Sequence, residues 1–437
     1  MWVRPSASRR VSAITCFTSD DRAGSGVHRL SRLQNPRRPR AVHPADLGGA
    51  SLVANERDFV YPLLAMETKV VKIGSADAEV HVVKQAAGVI DAGGLVAFPT
   101  ETVYGIACKV GRDSLSRLDE VKGRGEGKYY SLHIAEKCDV EKFVPKIGLR
   151  AKKLVDRAWP GPLTIVFELD EEDLAKQRGR LGEEIFEGLY RNGSIGVRCP
   201  ANAIATALLR HTKSAVVAPS ANASGAAPAI DADGVLRGLD GKIDLVLDGG
   251  PCTYRKSSSV VKVGKAGLEL LREGVYSRAE IEEMGQVQFL FVCTGNSCRS
   301  PMAQGIFKKY LAAKLRCSVD RLQAMGYKVA SAGTLGAAGF AASQEAIAAC
   351  AARGVDIGSH RSRALSRESV EGSDFVFAME QMHRQRVVAI CPEAERRCVL
   401  LAEGGIGDPI GQPQEVYDRC AEVIERSVSK RISELDL

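Results

Sequence analysis

The sequence predicts an α/β protein made of two successive open sheets. Three observations carry that expectation. Short apolar runs alternate with segments of helical apolar spacing from about residue 88 onward, the pattern of strands covered by helices. Many of these runs end in polar or glycine-bearing loops, where an open sheet presents its ligand site. A fresh strand–loop–helix unit then starts just after Gly285. The 437 residues suffice for two or three domains, and no apolar stretch approaches the roughly 20 residues that cross a membrane.

Along the first unit, Gly94–Phe98 reads as a buried strand ending at Pro99, and Ser114–Val121 as a helix. Ile165–Phe167, Ile195–Arg198 and Ala215–Ala218 read as strands, with a helix at Ala201–Leu209. In the second unit Phe289–Val292 is a short buried strand. A tight loop follows, then helical spacing from Ala303 to Leu315 through Ile306, Tyr310 and Leu311. The expected division is a leader at 1–65, one domain at 66–284 and another at 286–437.

The leader holds ten Arg, five acids and no Lys, so it carries +5 of the chain's +7. It reads as a disordered basic tail, an organellar transit segment, or a stretch upstream of a true start at Met66, the last being favoured. The remaining +2 implies no general nucleic-acid-binding surface. Twelve cysteines without a CxxC pair or zinc spacing point to free thiols in a reducing compartment. The expectation is therefore a cytoplasmic protein with no structural metal.

The first unit carries no Walker loop and no GxGxxG. It does carry six polar strings in order: Pro99–Gly105, the basic glycine-rich Lys122–Lys128, Arg198, Pro219–Gly225, Ser257–Val261 and Arg272–Gly274. Each alone reads equally well as a turn, a solvated charge or a cap. A glycine-rich basic loop can also hold polyphosphate through backbone N–H groups and cations.

Together these strings resemble the YrdC-like threonylcarbamoyl-AMP synthase family over nearly all of 88–276. The matching motifs are PTETVYG, KGR with a following Lys, WPGPLT, GVRCP, APSANASG, SSVV and LREG. The resemblance implies a twisted mixed sheet with flanking helices. It implies condensation of L-threonine, bicarbonate and ATP to threonylcarbamoyl-AMP and pyrophosphate, with Mg2+ on the phosphates. The product would pass to a transferase machinery for tRNA N6-threonylcarbamoyladenosine modification. By motif, Arg124 and Lys128 would contact the ATP phosphates, and Ser194, Asn222 and Arg272 would line the nucleotide site. Thr100, Thr102, His133, Arg198, Ser220 and Ser258 would hold threonine. The threonine carbamate would attack the α-phosphate, so the residues align groups and neutralise charge without a covalent nucleophile. Two departures are Tyr129-Tyr130, where the family has Pro-Leu, and Ser259, where it has Thr. The zinc fingers and acylphosphatase domain of the hydrogenase-maturation relatives are absent from the sequence.

In the second unit, Cys293 and Arg299 are spaced so that both can face one phosphate when the loop wraps round it. The amides of 294–299 and the following helix N-terminus would lower the thiol pKa and give a nucleophile. Arg299 would clamp two phosphate oxygens, Ser300 would hydrogen-bond the sulfur, and Asp408 before Pro409 is the candidate general acid. The string CTGNSCRSPMA, with Ser331–Gly333, Ser359–Ser362, Asp374–Met379 and Asp408-Pro409, resembles the low-molecular-weight protein phosphatases over about 287–435. That implies a four-stranded parallel sheet, a cysteinyl-phosphate intermediate and a phosphorylated protein substrate. Thr294, Gly295, Asn296, Ser297, Cys298 and Ser300 would form the phosphate loop. Cys298 would be a second loop cysteine able to pair reversibly with Cys293. Ser297 and the Asp-Pro-Ile-Gly loop favour phosphoarginine over phosphotyrosine. Arsenate reduction is disfavoured because Cys391 and Cys398 fall too late in register. The rival for the whole chain is an RNA-binding module with a degenerate catalytic site beside a phosphatase or arsenate-reductase-like second domain.

Overall fold

The computed structural model describes residues 67–74, 80–123, 129–264, 267–336 and 338–437. The leader reading, together with Arg124 and Lys128, lies outside them.

The first half runs β1 (Lys69–Lys72), α1 (Val80–Asp91), β2 (Val96–Phe98), β3 (Gly105–Lys109), α2 (Arg112–Lys122), β4 (Leu132–His133), α3 (Leu149–Ala158), β5 (Leu163–Glu168) and α4 (Glu171–Leu181). It continues with α5 (Glu183–Leu189), β6 (Ser194–Arg198), α6 (Ala203–His211), β7 (Val216–Val217), α7 (Ala232–Leu239), β8 (Leu245–Asp248), β9 (Ser259–Gly264), β10 (Gly267–Arg272) and α8 (Arg278–Met284). The strands form one mixed sheet in the order β1-β8-β2-β3-β7-β4-β6-β5-β9-β10. Alternate residues of a strand face opposite sides. Leu95 and Ala97 accordingly enter a large core with Ile106, Leu163 and Ile165, while Val96 and Phe98 enter a second core with α1 and α6.

The expected elements are present, with shifted ends. The helix expected at 201–209 begins at Ala203, because the Asn202 side chain accepts from the Ala205 amide at 3.0 Å and caps it. The strand expected at 215–218 is only Val216–Val217.

The second half runs β11 (Val287–Cys293), α9 (Arg299–Lys314), β12 (Tyr327–Gly333), α10 (Gln344–Ala351), α11 (Arg367–Glu371), β13 (Phe375–Ala378), α12 (Gln381–Ile390), β14 (Cys398–Leu400) and α13 (Gln414–Ser433). Its four strands are all parallel, ordered β12-β11-β13-β14. Phe289, Phe291, Phe307 and Phe377 pack on one face, with Phe291 and Phe377 centroids 5.2 Å apart. Leu290, Val292, Val376 and Ala378 pack on the other. Helix α9 begins four residues before the apolar spacing does. Pro301 sits in its first turn, where the missing N–H costs nothing.

The halves meet along α3. Its N-terminal Leu149 amide donates to the Asp436 carbonyl at 2.9 Å. Arg150 Nε donates to Gly285 O at 3.0 Å, and its guanidinium lies 5.9 Å from the Tyr327 ring centroid. Lys153 pairs with Asp374, whose other oxygen accepts from the Gln288 amide at 2.9 Å. Gly326 is required here: its φ is +84°, and a Cβ would stand 2.4 Å from an Arg150 nitrogen.

Candidate active sites

In the first half, strand register builds the site. His133 pairs with Arg198 across β4 and β6, and Arg198 pairs with Thr164 across β6 and β5. Thr164 Oγ1 then meets Ser258 Oγ at 3.2 Å, just ahead of β9. These strand ends open into a cavity of about 780 Å³, whose lining includes His133, Ser194, Arg198, Ser220, Ser258 and Arg272. Six of the residues singled out by motif thus converge on one space.

Arg198 is the charged centre of this cavity. It is 5% exposed and donates through Nη2 to Glu101 at 2.8 Å and to Thr102 Oγ1 at 2.7 Å. Its Nε has no partner. Glu101 also accepts from the Ala201 amide at 3.0 Å. Thr100 and Thr102, 2.8 Å apart through their hydroxyls, stand behind Arg198 and are not part of the cavity lining. Arg272 donates to Ser258 O at 2.8 Å and to its hydroxyl at 3.0 Å. Burial and the neighbouring Arg198 lower the Arg272 pKa.

Burial, reinforced by Arg198, pushes His133 down to about 3, so the ring is neutral near pH 7. Its Nδ1 faces Ser131 O at 3.0 Å. A neutral ring in that position carries its proton on Nδ1 and turns a lone pair outward from Nε2. Asn222 is outside the lining. Its amide nitrogen donates to Ala223 O at 2.8 Å and Ala226 O at 2.7 Å, and its Oδ1 is buried without a partner.

Sequence reasoning missed Glu101 and Thr164, and it read Lys122 only as a cation of the glycine-rich loop. Lys122 is 1% exposed, and its ammonium donates to the carbonyls of Ser220 and Asn222, the latter at 2.7 Å. All three lie inside the quoted motifs, but nothing in their spacing marked them as partners of residues about 100 positions away.

In the second half, Cys293 ends β11 and the loop closes round it into α9. Cys293 Sγ lies 2.9 Å from Ser300 Oγ and 3.2 Å from the Asn296 amide. Asn296 is fully buried, with a left-handed φ of +56°. Its side-chain nitrogen donates to Ser300 Oγ at 2.8 Å and Ser331 Oγ at 2.9 Å. Its Oδ1 accepts from the Arg363 amide at 2.8 Å, and its carbonyl meets His360 Nε2 at 2.8 Å. Gly333 lines the approach, since a Cβ there would come 2.8 Å from Thr294 O.

Arg299 is 1% exposed and reaches Glu380, Asp408 at 2.5 Å, Ile406 O at 3.0 Å and Thr294 Oγ1 at 3.0 Å. Its Nε has no partner. Thr294 Oγ1 also meets His383 Nε2 at 2.8 Å, while His383 Nδ1 accepts from the Glu380 amide at 3.1 Å. Ser297 Oγ lies 3.6 Å from Cys298 Sγ, and that sulfur lies 3.4 Å from Tyr417 Oη. Thr294 to Cys298 form the loop between β11 and α9, while Ser300, also expected in it, is the second residue of α9.

One expectation needs correction. The Ser300 hydroxyl, the Ser300 and Asn296 amides and Arg299 do act to lower the Cys293 pKa. Burial outweighs them, and the thiol is held above its ordinary value. Glu380 and His383 were also missed. Their one signal was the position just beyond the strand-end Ala378-Met379, where Glu380 caps α12. Cys391 and Cys398 are fully buried in the core on the other face of the sheet from Cys293.

Residues 88–274 match the Sua5/YciO/YrdC family, described as telomere recombination. Residues 288–436 match the low molecular weight phosphotyrosine protein phosphatases. The chain is 33% identical over 232 residues to the threonylcarbamoyl-AMP synthase of Pyrococcus abyssi, covering 53% of this chain and 65% of that relative. It is 32% identical over 201 residues to the Bacillus subtilis synthase, covering 46% of this chain and 55% of the relative. It therefore spans 55 to 65% of the length of these two synthases. It is 32% identical over 154 residues to the protein-arginine-phosphatase of Geobacillus stearothermophilus, covering 34% of this chain and 95% of that relative. Each match runs through one of the two sheets and its site, and the chain belongs to both the Sua5/YciO/YrdC and the low molecular weight phosphatase families.

Proposed function

We propose that the chain is a bifunctional enzyme with catalytic domains at 66–284 and 286–437. The first condenses L-threonine, bicarbonate and ATP to threonylcarbamoyl-AMP and pyrophosphate. The second dephosphorylates protein through a cysteinyl-phosphate. One observation supports both readings: each site holds a buried arginine, Arg198 or Arg299, whose Nε has no partner. A buried donor left unpaired is costly, and an anionic substrate group satisfies it.

In the first domain Arg198 and Ser258 take the threonine carboxylate, and the outward lone pair of neutral His133 accepts from the threonine hydroxyl or amine. Arg272, Ser194 and Asn222 serve the nucleotide, with Arg124 and Lys128 on its phosphates. The carbamate oxygen attacks the α-phosphorus, and the bond to the β-phosphate oxygen breaks to release pyrophosphate. Mg2+ enters with ATP as part of the substrate. Glu101 and Glu168 are each committed to a cation, Arg198 and Lys262, and the described residues hold no cluster of three metal-ligating side chains. The product leaves for the tRNA-modifying transferase machinery in the cytoplasm.

In the second domain the substrate dianion enters the loop amides and pairs with Arg299. A thiol with a dianion carries the same net charge as a thiolate with a monoanion. The Cys293 proton therefore moves to a phosphate oxygen as the substrate seats. Sulfur attacks phosphorus, the bond to the substrate nitrogen or oxygen breaks, and Asp408 protonates the leaving group. Water then attacks the cysteinyl-phosphate and yields its proton to Asp408. Ser297 in the loop and the 95% coverage of an arginine phosphatase relative support phosphoarginine as the substrate.

The test is pyrophosphate release by residues 66–437 with ATP, Mg2+, threonine and bicarbonate, with mass detection of the nucleotide. Release must require both threonine and bicarbonate. Cys293→Ser must abolish turnover of phosphoarginine and phosphotyrosine peptides while leaving that release unchanged. Release without threonine, or phosphatase turnover by the Ser variant, refutes the corresponding half.

A further inference from the structure

We infer that Tyr129, stacked with Arg191, is the platform on which the adenine ring of ATP lies. The inference rests on the synthase reading of the first domain and extends it to the part of the nucleotide that no residue above addresses.

The cavity is graded in exposure from floor to mouth. His133, Arg198 and Ser258 on its floor are 4 to 6% exposed. They offer a lone pair, a guanidinium and a hydroxyl, which suit a small amino acid made almost wholly of polar groups. Tyr129 and Leu271, which line the same cavity, are 55% and 50% exposed. They are two of eleven large hydrophobic side chains left exposed among the described residues. About 780 Å³ is more than threonine needs and lies within the roughly 300–1,000 Å³ of ordinary small-molecule sites.

The ring is held in place. The Arg191 guanidinium lies 5.7 Å from its centroid, and Asn192 Nδ2 donates to its hydroxyl at 3.4 Å. Arg191 and Asn192 belong to the tight turn leading into β6, closed by the mutual Arg191–Ser194 backbone hydrogen bonds. Among the described residues no carboxylate lies within ion-pair distance of Arg191. Its charge is thus directed to the ring and to any anion entering the cavity. A tyrosine fixed by a guanidinium and an amide, open at a cavity mouth, is a surface for a flat π system. Of the three substrates only ATP has one. Threonine and bicarbonate gain nothing from an aromatic face.

Stacking of a base on an aromatic side chain is worth roughly 1–3 kcal/mol, which is about 5- to 150-fold in affinity. The experiment is calorimetric titration of the full chain with ATP and, separately, with inorganic tripolyphosphate, which lacks base and ribose. Tyr129→Ala should weaken ATP binding at least about five-fold and leave tripolyphosphate within two-fold of wild type. Tyr129→Phe should retain ATP affinity, and phosphatase turnover should be unchanged in both variants as a check on folding. Unchanged ATP affinity in Tyr129→Ala overturns the proposal. So does an equal loss for ATP and tripolyphosphate, which would make the ring a support for the phosphate loop. A wild-type chain that binds neither ATP nor tripolyphosphate overturns instead the reading on which the proposal rests.

Discussion

Replacing Asn296 by alanine should damage the phosphatase half in both stability and turnover. The side chain makes three buried hydrogen bonds, to Ser300 Oγ at 2.8 Å, to Ser331 Oγ at 2.9 Å and from the Arg363 amide at 2.8 Å. At about 1 kcal/mol net each, they account for roughly 3 kcal/mol. The backbone there is left-handed at φ +56°, which asparagine tolerates and which costs alanine about 1 kcal/mol more. A total near 4 kcal/mol is a large share of the roughly 5–15 kcal/mol that holds a domain folded. With a urea slope of about 1.5 kcal/mol/M, the midpoint should fall by about 2–3 M. Turnover should fall about 100-fold, since the amide 3.2 Å from Cys293 Sγ loses its place. The two tryptophans are Trp2 and Trp159, so fluorescence does not observe this half. The assay is p-nitrophenyl phosphate hydrolysis as a function of urea. Asn296→Gly should recover the conformational part of the loss and none of the hydrogen bonds. A midpoint shift under about 1 M with turnover within three-fold of wild type would refute this account of the loop.

Asp408→Asn should slow phosphopeptide hydrolysis by about 10²–10⁴ and slow p-nitrophenyl phosphate far less, because that leaving group needs no proton; equal losses on both substrates would remove Asp408 from the acid role. His133, held down to about 3 against about 6.5 when unfolded, is stably neutral above pH 6.5. As pH falls below that value the unfolded chain binds a proton that the folded one does not. The first half should therefore lose about 2 kcal/mol from this residue between pH 7 and pH 5. His133→Gln should remove that part of the slope in urea titrations followed by Trp159 fluorescence, and an unchanged slope would show that His133 titrates normally.

The motifs were legible because both sites are assembled at strand ends from residues close in sequence to an apolar run. Cys293 ends β11 and Arg299 starts α9, so the spacing alone put them at the two ends of one loop. What the spacing could not show is what neutralises a buried charge. Arg198 is held by Glu101, 97 residues earlier, and Arg299 by Glu380, 81 residues later. Such pairings depend on strand order, and the order of the ten-stranded sheet jumps repeatedly along the sequence. The direction of the Cys293 shift was misjudged for a related reason. The donors round the sulfur could be read from the loop sequence, whereas the burial that outweighs them comes from the whole second half.

The contact between the halves was invisible for the opposite reason. Helix α3 buries Ala151, Leu154, Val155 and Ala158 in the first core, and its remaining face carries Arg150, Lys153 and Arg157. In the fold Lys153 is only 14% exposed, paired with Asp374. Its pKa is lowered by burial even against that partner. Polar contacts of this kind are usual between domains of one chain. Asp374 stands at the start of β13, and Glu380, which holds Arg299, lies just past its end. The four-residue strand β13, rising about 3.3 Å per residue, separates the contact from the site. The joint thus orients the two sheets without touching the phosphate loop. The two sites are expected to work independently, and loss of Cys293 should leave the first half undisturbed.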